Sequence, residues 1–242
     1  MSELVRSIRE RYLSVLDQIS SAATKSGRSP EAVKLVVVTK SQPVDVVQAA
    51  IEAGAVILGE NYAEEGVTKI QSLQNASAVE WHMIGHIQSR KAQLVAANFN
   101  WIHSVDSLKL AKRLDRFCAE AGKVVPVLLE FNVGGEESKG GWQTSDESRW
   151  AELLVEIAEI LALPNLRVRG LMSMPPLGET AEFSRRYFQK SHRLRDFFAR
   201  QFPQADFSEL SMGTSSDYEV AVEEGATFVR VGTAIVGSRN YS

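Results

Sequence analysis

Apolar residues arrive in two rhythms along the chain. Short runs rich in Val, Ile and Leu alternate with longer stretches in which apolar residues recur every three or four positions. The runs at residues 34–40 (KLVVVTK), 55–60 (AVILGE), 80–86 (EWHMIGH), 101–106 (WIHSVD), 124–133 (VVPVLLEFNV), 167–174 (RVRGLMSM), 206–212 (DFSELSM) and 228–233 (FVRVGT) predict eight strands. Dense β-branched runs such as LVVV suit strands buried on both faces, as in a parallel sheet. The intervening VDVVQAAIEAG, SLKLAKRLDRFCAEAG and WAELLVEIAEILALP predict helices, and residues 2–26 predict an opening one. Gly54, Gly122 and Gly225 stand where helix C-terminal caps belong. Ser216 and Glu219 have the spacing of a capping box.

Strands that alternate with helices admit an open doubly wound sheet or a closed barrel. A nucleotide-binding doubly wound half places a glycine-rich turn after its first strand. Here that position reads TKSQPVD, without glycine. Eight units in 242 residues suit a (β/α)8 TIM barrel. The fold expected is therefore α/β, a single-domain barrel over residues 1–242 with an extra N-terminal helix.

Composition narrows the partners. The chain is 44% hydrophobic and 24% charged with a net charge of -3, which gives no basic surplus for nucleic acid. The N-terminus is charged throughout and no apolar run approaches a membrane span. Cys118, the only cysteine, fits a reducing compartment and falls inside a helical pattern, which predicts a small packed residue. A cytoplasmic protein without membrane association is the simplest expectation.

In a barrel the chemistry sits at the C-terminal strand ends. The first strand ends on Lys40, which either snorkels to water or points into the barrel mouth. In the mouth its amine is desolvated, its pKa falls, and it becomes a nucleophile toward carbonyl groups. The seventh strand opens into Ser211, Gly213, Thr214, Ser215 and Ser216, and the eighth into Gly232 and Thr233. Barrels commonly hold phosphate with these two loops, glycines admitting backbone N–H groups and hydroxyls adding donors. A reactive amine facing a phosphate cup suits an aldehyde that carries its own phosphate, such as pyridoxal 5′-phosphate.

The segments VVVTKSQP, ILGENYAEE, WHMIGHIQSRK, IHSVDS, NVGGEESKGG, RGLMSMPP and LSMGTSSDYEVAVEEGATFVRVGTAIVG, in this order, resemble the pyridoxal phosphate homeostasis protein family, the YggS/PROSC group. The resemblance runs nearly end to end. It implies a barrel like the N-terminal domain of alanine racemase, with the cofactor held as an internal aldimine on Lys40. It also implies a cofactor carrier or buffer in vitamin B6 homeostasis, acting indirectly on amino-acid and keto-acid metabolism, in place of a conventional enzyme. Arg230 resembles the arginine that alanine racemases set against the pyridine nitrogen. Within that resemblance Arg90 stands where asparagine is usual, VGG at 133–135 varies a less glycine-rich pattern, and GTSS at 213–216 differs from the frequent glycine-methionine-serine.

The expected cofactor-binding set is thus Lys40, Asn61, Ser211, Gly213, Thr214, Ser215, Arg230, Gly232 and Thr233, with no metal site and no catalytic residue. Asn61 ends the second strand as a ring or loop hydrogen-bonder. His103 either touches the ring or bonds a loop. His82 and His86 lie four apart on a strand, about 13 Å, too far for a metal pair. Met172 and Met174 are expected to pack the barrel interior, and residues 134–148 form either a lid or a solvated loop. The alternative function is an enzyme that uses pyridoxal phosphate, racemase-like or a decarboxylase, or an aldolase working through a Schiff base. The sequence ends at Ser242 soon after the eighth strand, without the second domain that racemases and decarboxylases use, which favours the carrier. Expected partners are pyridoxal phosphate and recipient apo enzymes, with the protein a monomer.

Overall fold

The computed structural model describes residues 1–73, 76–176, 178 and 180–238. Eight parallel strands form a closed barrel: β1 (Lys34–Val38), β2 (Ile57–Glu60), β3 (Glu80–Met83), β4 (Trp101–Val105), β5 (Val125–Asn132), β6 (Leu166–Ser173), β7 (Glu209–Ser211) and β8 (Phe228–Val231). Each strand pairs with its sequence neighbours, β1 pairs with β8, and the β4–β5 pairing closes the ring. A two-residue strand, Trp142–Gln143, adds to the edge of β5 beyond Phe131.

The period of two inside each strand sorts the side chains. Val36, Ile57, Leu128, Met172 and Phe228 form an apolar cluster separate from the larger core between strands and helices. Val38 and Lys40 follow Val36 at the same spacing, and Arg230 and Gly232 follow Phe228. The strand rhythm therefore sends Lys40 and Arg230 toward the barrel axis.

Helices α1 (Glu3–Lys25), α2 (Val44–Glu52), α3 (Ala63–Ser72), α4 (Ala92–Asn98), α5 (Leu108–Glu120), α6 (Leu154–Leu161), α7 (Ala181–Gln201), α8 (Tyr218–Glu223) and α9 (Thr233–Val236) surround the strands. In α5 the buried residues Leu110, Ala111, Leu114, Phe117 and Cys118 share one stripe, and Ser107 caps the helix by accepting from the Leu110 N–H. The eighth barrel helix, α9, has only one turn, and α1 packs against α8, α9 and α2 to complete the outer layer.

Some local expectations shift. Gly54, Gly122 and Gly225 take positive φ directly after the ends of α2, α5 and α8. The capping box at Ser216 does not form: α8 starts after Asp217, whose Oδ1 accepts from the Thr214 N–H at 2.7 Å, and Ser216 Oγ lies 3.3 Å from Thr214 Oγ1. The helix expected from Trp150 begins earlier, as a 3₁₀ segment over Glu147–Leu153, where the Trp150 indole donates inward to the Thr144 carbonyl at 3.1 Å. Among the described residues no helix is long and apolar enough to cross a membrane.

Candidate functional site

A cleft of about 270 Å³ opens at the C-terminal end of the barrel. Its walls include Val38 at the end of β1 and Lys40 in the turn after it, Asn61 and Ile84 just past β2 and β3, and Thr214, Ser215 and Ser216 from the loop after β7. Arg230, Gly232 and Thr233 come from β8 and the turn after it. Its size lies just under the roughly 300 Å³ at which pockets for drug-sized molecules begin, which suits one small ligand.

The turn that presents Lys40 is tied down on several sides. Thr39 continues the ladder by donating its N–H to the Gly59 carbonyl at 3.0 Å, and the Gln42 N–H closes the turn on the Thr39 carbonyl at 3.1 Å. Ser41 takes φ 57°, a left-handed conformation that a non-glycine residue adopts only where the surroundings hold it. The Glu65 carboxylate does so, accepting from the Ser41 N–H at 2.6 Å. Beneath the turn, the buried Lys69 ammonium donates to the Thr39 carbonyl at 2.6 Å, to Glu60 at 2.8 Å and to Glu65 at 2.5 Å. Glu60 also accepts from the Thr39 hydroxyl at 2.6 Å. Burial raises the Glu60 pKa, opposed by the neighbouring Lys69 charge. Lys40 is half-buried on this platform.

Asn61 is held by a close backbone approach. A Cβ on Gly85 would lie 2.4 Å from the Asn61 carbonyl oxygen, so only glycine lets the ends of β2 and β3 meet there. The Asn61 side-chain oxygen is buried with no hydrogen-bond partner among the described residues, although its residue lines the cleft. An orphaned acceptor at a cleft wall marks a place that a ligand donor or water completes.

The hydroxyl-rich loop after β7 meets the Gly232–Thr233 turn after β8 at the cleft, where the Gly232 N–H donates to Ser215 Oγ at 3.1 Å. Gly232 is itself a close approach, since a Cβ there would sit 3.2 Å from the Val38 carbonyl oxygen. Gly213, at φ 90°, turns the chain away from β7 against α8. Ser211 is fully buried below the cleft, where Arg230 Nη1 donates to its hydroxyl at 2.6 Å. Of the expected set, Lys40, Asn61, Thr214, Ser215, Arg230, Gly232 and Thr233 line one cavity, while Ser211 and Gly213 stand behind it.

Other candidates fall elsewhere. His103 does not line the cleft: it is buried within the barrel between His82 and Ser211. Met172 is inside the barrel as expected, but Met174 is 45% exposed and lines the cleft, because β6 ends at Ser173 and releases it. Arg90 borders a separate hollow beside Tyr62 and Lys91. The glycine-rich loop is pinned from inside by Asn132, whose Oδ1 accepts from the Gly135 N–H and whose Nδ2 donates to the Glu136 carbonyl. Among the described residues no group of three His, Cys, Asp or Glu is placed to hold a metal ion.

Sequence reasoning missed Glu130, a β5 carboxyl whose pKa is raised to about 7, by burial first and then by Asp106. Nothing in VLLEFN separates it from a surface glutamate. Because its folded pKa exceeds the unfolded value near 4.5, its stabilising effect is fully present below that value, declines as pH rises, and is gone above about 7. Glu130→Gln should therefore raise stability at pH 8 by up to roughly 3 kcal/mol and change little at pH 4. Denaturant midpoints that move in parallel for both proteins between pH 5 and 8 would contradict the assignment.

The family of the alanine racemase N-terminal domain matches residues 16–240. A protein of Vibrio alginolyticus named pyridoxal phosphate homeostasis protein is 41% identical over 240 residues, covering 98% of this chain and 99% of its own. This chain belongs to the pyridoxal phosphate homeostasis protein family. The member from Aquifex aeolicus is 38% identical over 96% of the chain and 98% of its own. PipY of Synechococcus elongatus, solved with PLP bound, superposes with a TM-score of 0.82 at 36% identity, covering 95% of this chain and all of that one. Alanine racemase of Clostridium difficile shares the barrel only, at 16% identity, TM-score 0.69 and 56% coverage of that protein. The fold read from the strand pattern is thus the homeostasis protein family's own.

Proposed function

We propose that this homeostasis protein binds pyridoxal 5′-phosphate in the cleft, with Lys40 as its covalent anchor. The observation that carries the reading is the convergence of one amine, one buried guanidinium, a hydroxyl-rich loop and a Gly-Thr turn on a single cavity in a chain so similar to PipY. The donor set fits the group: Thr214, Ser215, Gly232 and Thr233 would receive the phosphate, with Ser211 and Gly213 supporting that loop. Asn61 Oδ1 offers an unused acceptor at the wall. When bound, pyridoxal phosphate supplies an electrophilic aldehyde carbon and an electron-withdrawing ring.

Arg230 governs what that ring does. A guanidinium only donates and keeps its charge, so a ring nitrogen set against it would stay unprotonated and the ring would withdraw electrons weakly. Burial lowers the Arg230 pKa to about 10, which leaves it charged at neutral pH. The protein accordingly acts as a monomeric cytoplasmic carrier or buffer over residues 1–242, delivering the cofactor to apo enzymes and affecting amino-acid and keto-acid metabolism through them. The relatives' shared name, homeostasis protein, supports this over a racemase-like enzyme.

The test incubates stoichiometric loaded protein with L-amino acids in heavy water. The carrier reading expects little or no deuterium at Cα over hours. Rapid incorporation that Lys40→Ala abolishes would overturn it in favour of a racemase-like enzyme.

A further inference from the structure

Below the cleft, polar side chains share the barrel interior with the apolar cluster of Val36, Ile57, Leu128, Met172 and Phe228. Arg230 Nη1 donates to Ser211 Oγ at 2.6 Å, and Nη2 to the Ser173 carbonyl at 3.1 Å. Ser211 Oγ lies 3.0 Å from His103 Nδ1, and His103 Nε2 lies 2.9 Å from His82 Nδ1. His82 Nε2 reaches Glu80 Oε2 at 3.2 Å. Ser211, His103 and His82 are wholly buried, whereas the Glu80 side chain is 56% exposed at the opposite end of the barrel. Five side chains from β8, β7, β4 and β3 thus make one continuous chain from the cleft to the base.

The two ends of this chain fix every proton in it. A guanidinium can only donate, so Ser211 Oγ accepts from Arg230, which leaves its second lone pair and its own hydrogen open toward His103 Nδ1. At the other end a neutral His82 that donates to Glu80 accepts at Nδ1, so His103 carries its hydrogen on Nε2, and Ser211 donates to His103 Nδ1. His82 carries its hydrogen on Nε2 and gives it to the Glu80 carboxylate, which only accepts. Both imidazoles are neutral in this arrangement. Burial lowers both histidine pKa values, aided at His103 by the charges of Arg230 and Lys34 and opposed at His82 by Glu80.

A half-satisfied polar chain in a barrel interior would be costly, and Arg230, Ser211, His103 and His82 are not among the described residues with a buried side-chain nitrogen or oxygen that lacks a partner. We propose that Glu80, His82, His103 and Ser211 are positioning residues for Arg230, holding its guanidinium in one orientation at the wall of the cleft. The proposal deepens the cofactor reading above and rests on it for the identity of the ligand. Arg230 is anchored from the far end of the barrel, so a change at the exposed Glu80 is felt at the cleft without touching it.

The test has one arm without cofactor. In protein labelled with ¹⁵N-histidine and ¹⁵N-arginine, His82 and His103 at pH 7 are expected to show the neutral Nε2–H form, and Arg230 resolved Nη signals. Ser211→Ala should collapse the Arg230 signals and Ser211→Thr should restore them. Glu80→Ala should give His82 and His103 mixed tautomers. An imidazolium or Nδ1–H form in the parent protein, or Arg230 signals unmoved by Ser211→Ala, would overturn the proposal. In the second arm pyridoxal phosphate is added, and Ser211→Ala should bind it about tenfold more weakly with an altered absorption maximum. Unchanged affinity and spectrum there would also overturn it. If the parent protein binds no pyridoxal phosphate, the cofactor reading fails, while the first arm still decides the chain.

Discussion

Lys40→Ala will lose pyridoxal phosphate on desalting, whereas the parent protein keeps it. Removing the amine leaves the loops after β7 and β8 and the Arg230 wall in place, so residual reversible binding is expected. The affinity should fall at least tenfold, about 1.4 kcal/mol or more. The fold should barely respond, because Thr39, Gln42, Glu65 and Lys69 hold the turn around residue 40. Equal retention of visible absorbance by both proteins after desalting would refute the role of this lysine. A lowered thermal midpoint with the cofactor retained would recast Lys40 as a structural residue.

Lys69→Met should have the largest effect on stability. Its ammonium neutralises Glu60, which is wholly buried, and bonds the Thr39 carbonyl directly under the Lys40 turn. Breaking a buried pair by removing one partner typically costs about 3–5 kcal/mol, since the remaining charge is left in a poorly solvated place. The pH dependence has a definite sign. The Glu60 pKa is raised in the folded state, so protonation favours folding. The loss in Lys69→Met should be smallest at pH below the ordinary carboxylate value and grow as pH rises through the raised one. Adding Glu60→Gln to Lys69→Met should recover much of it. Denaturant unfolding at pH 5 and 8 reads both effects, and a loss under about 1 kcal/mol at each pH would contradict them.

The barrel was legible because alternation and turn residues are local signals. Eight dense runs, separated by helical stretches and closed by glycines, left few topologies. That Lys40, Asn61, Arg230 and the loops after β7 and β8 would meet at one cavity was legible for a related reason: the strand ends of a barrel share one mouth. The platform beneath them was not. Lys69 sits in an ordinary helical stretch, EEGVTKIQS, and only the packing of α3 on β2 turns it inward to Glu60. The interior chain was hidden in the same way. His82 and His103 are 21 residues apart, and Ser211 lies a further 108 beyond, so no spacing along the sequence announces that they touch. Met174 was misplaced because β6 ends one residue sooner than its apolar pattern does.

The account stands most directly on where the cofactor is fixed. Pyridoxal phosphate is added to the unmodified protein, the covalent link is reduced with borohydride, and the digested peptides are mapped by mass spectrometry. The account predicts one stoichiometric label on the peptide carrying Lys40. A label on Lys34, Lys91 or Lys139 in its place, or none at all, would contradict it.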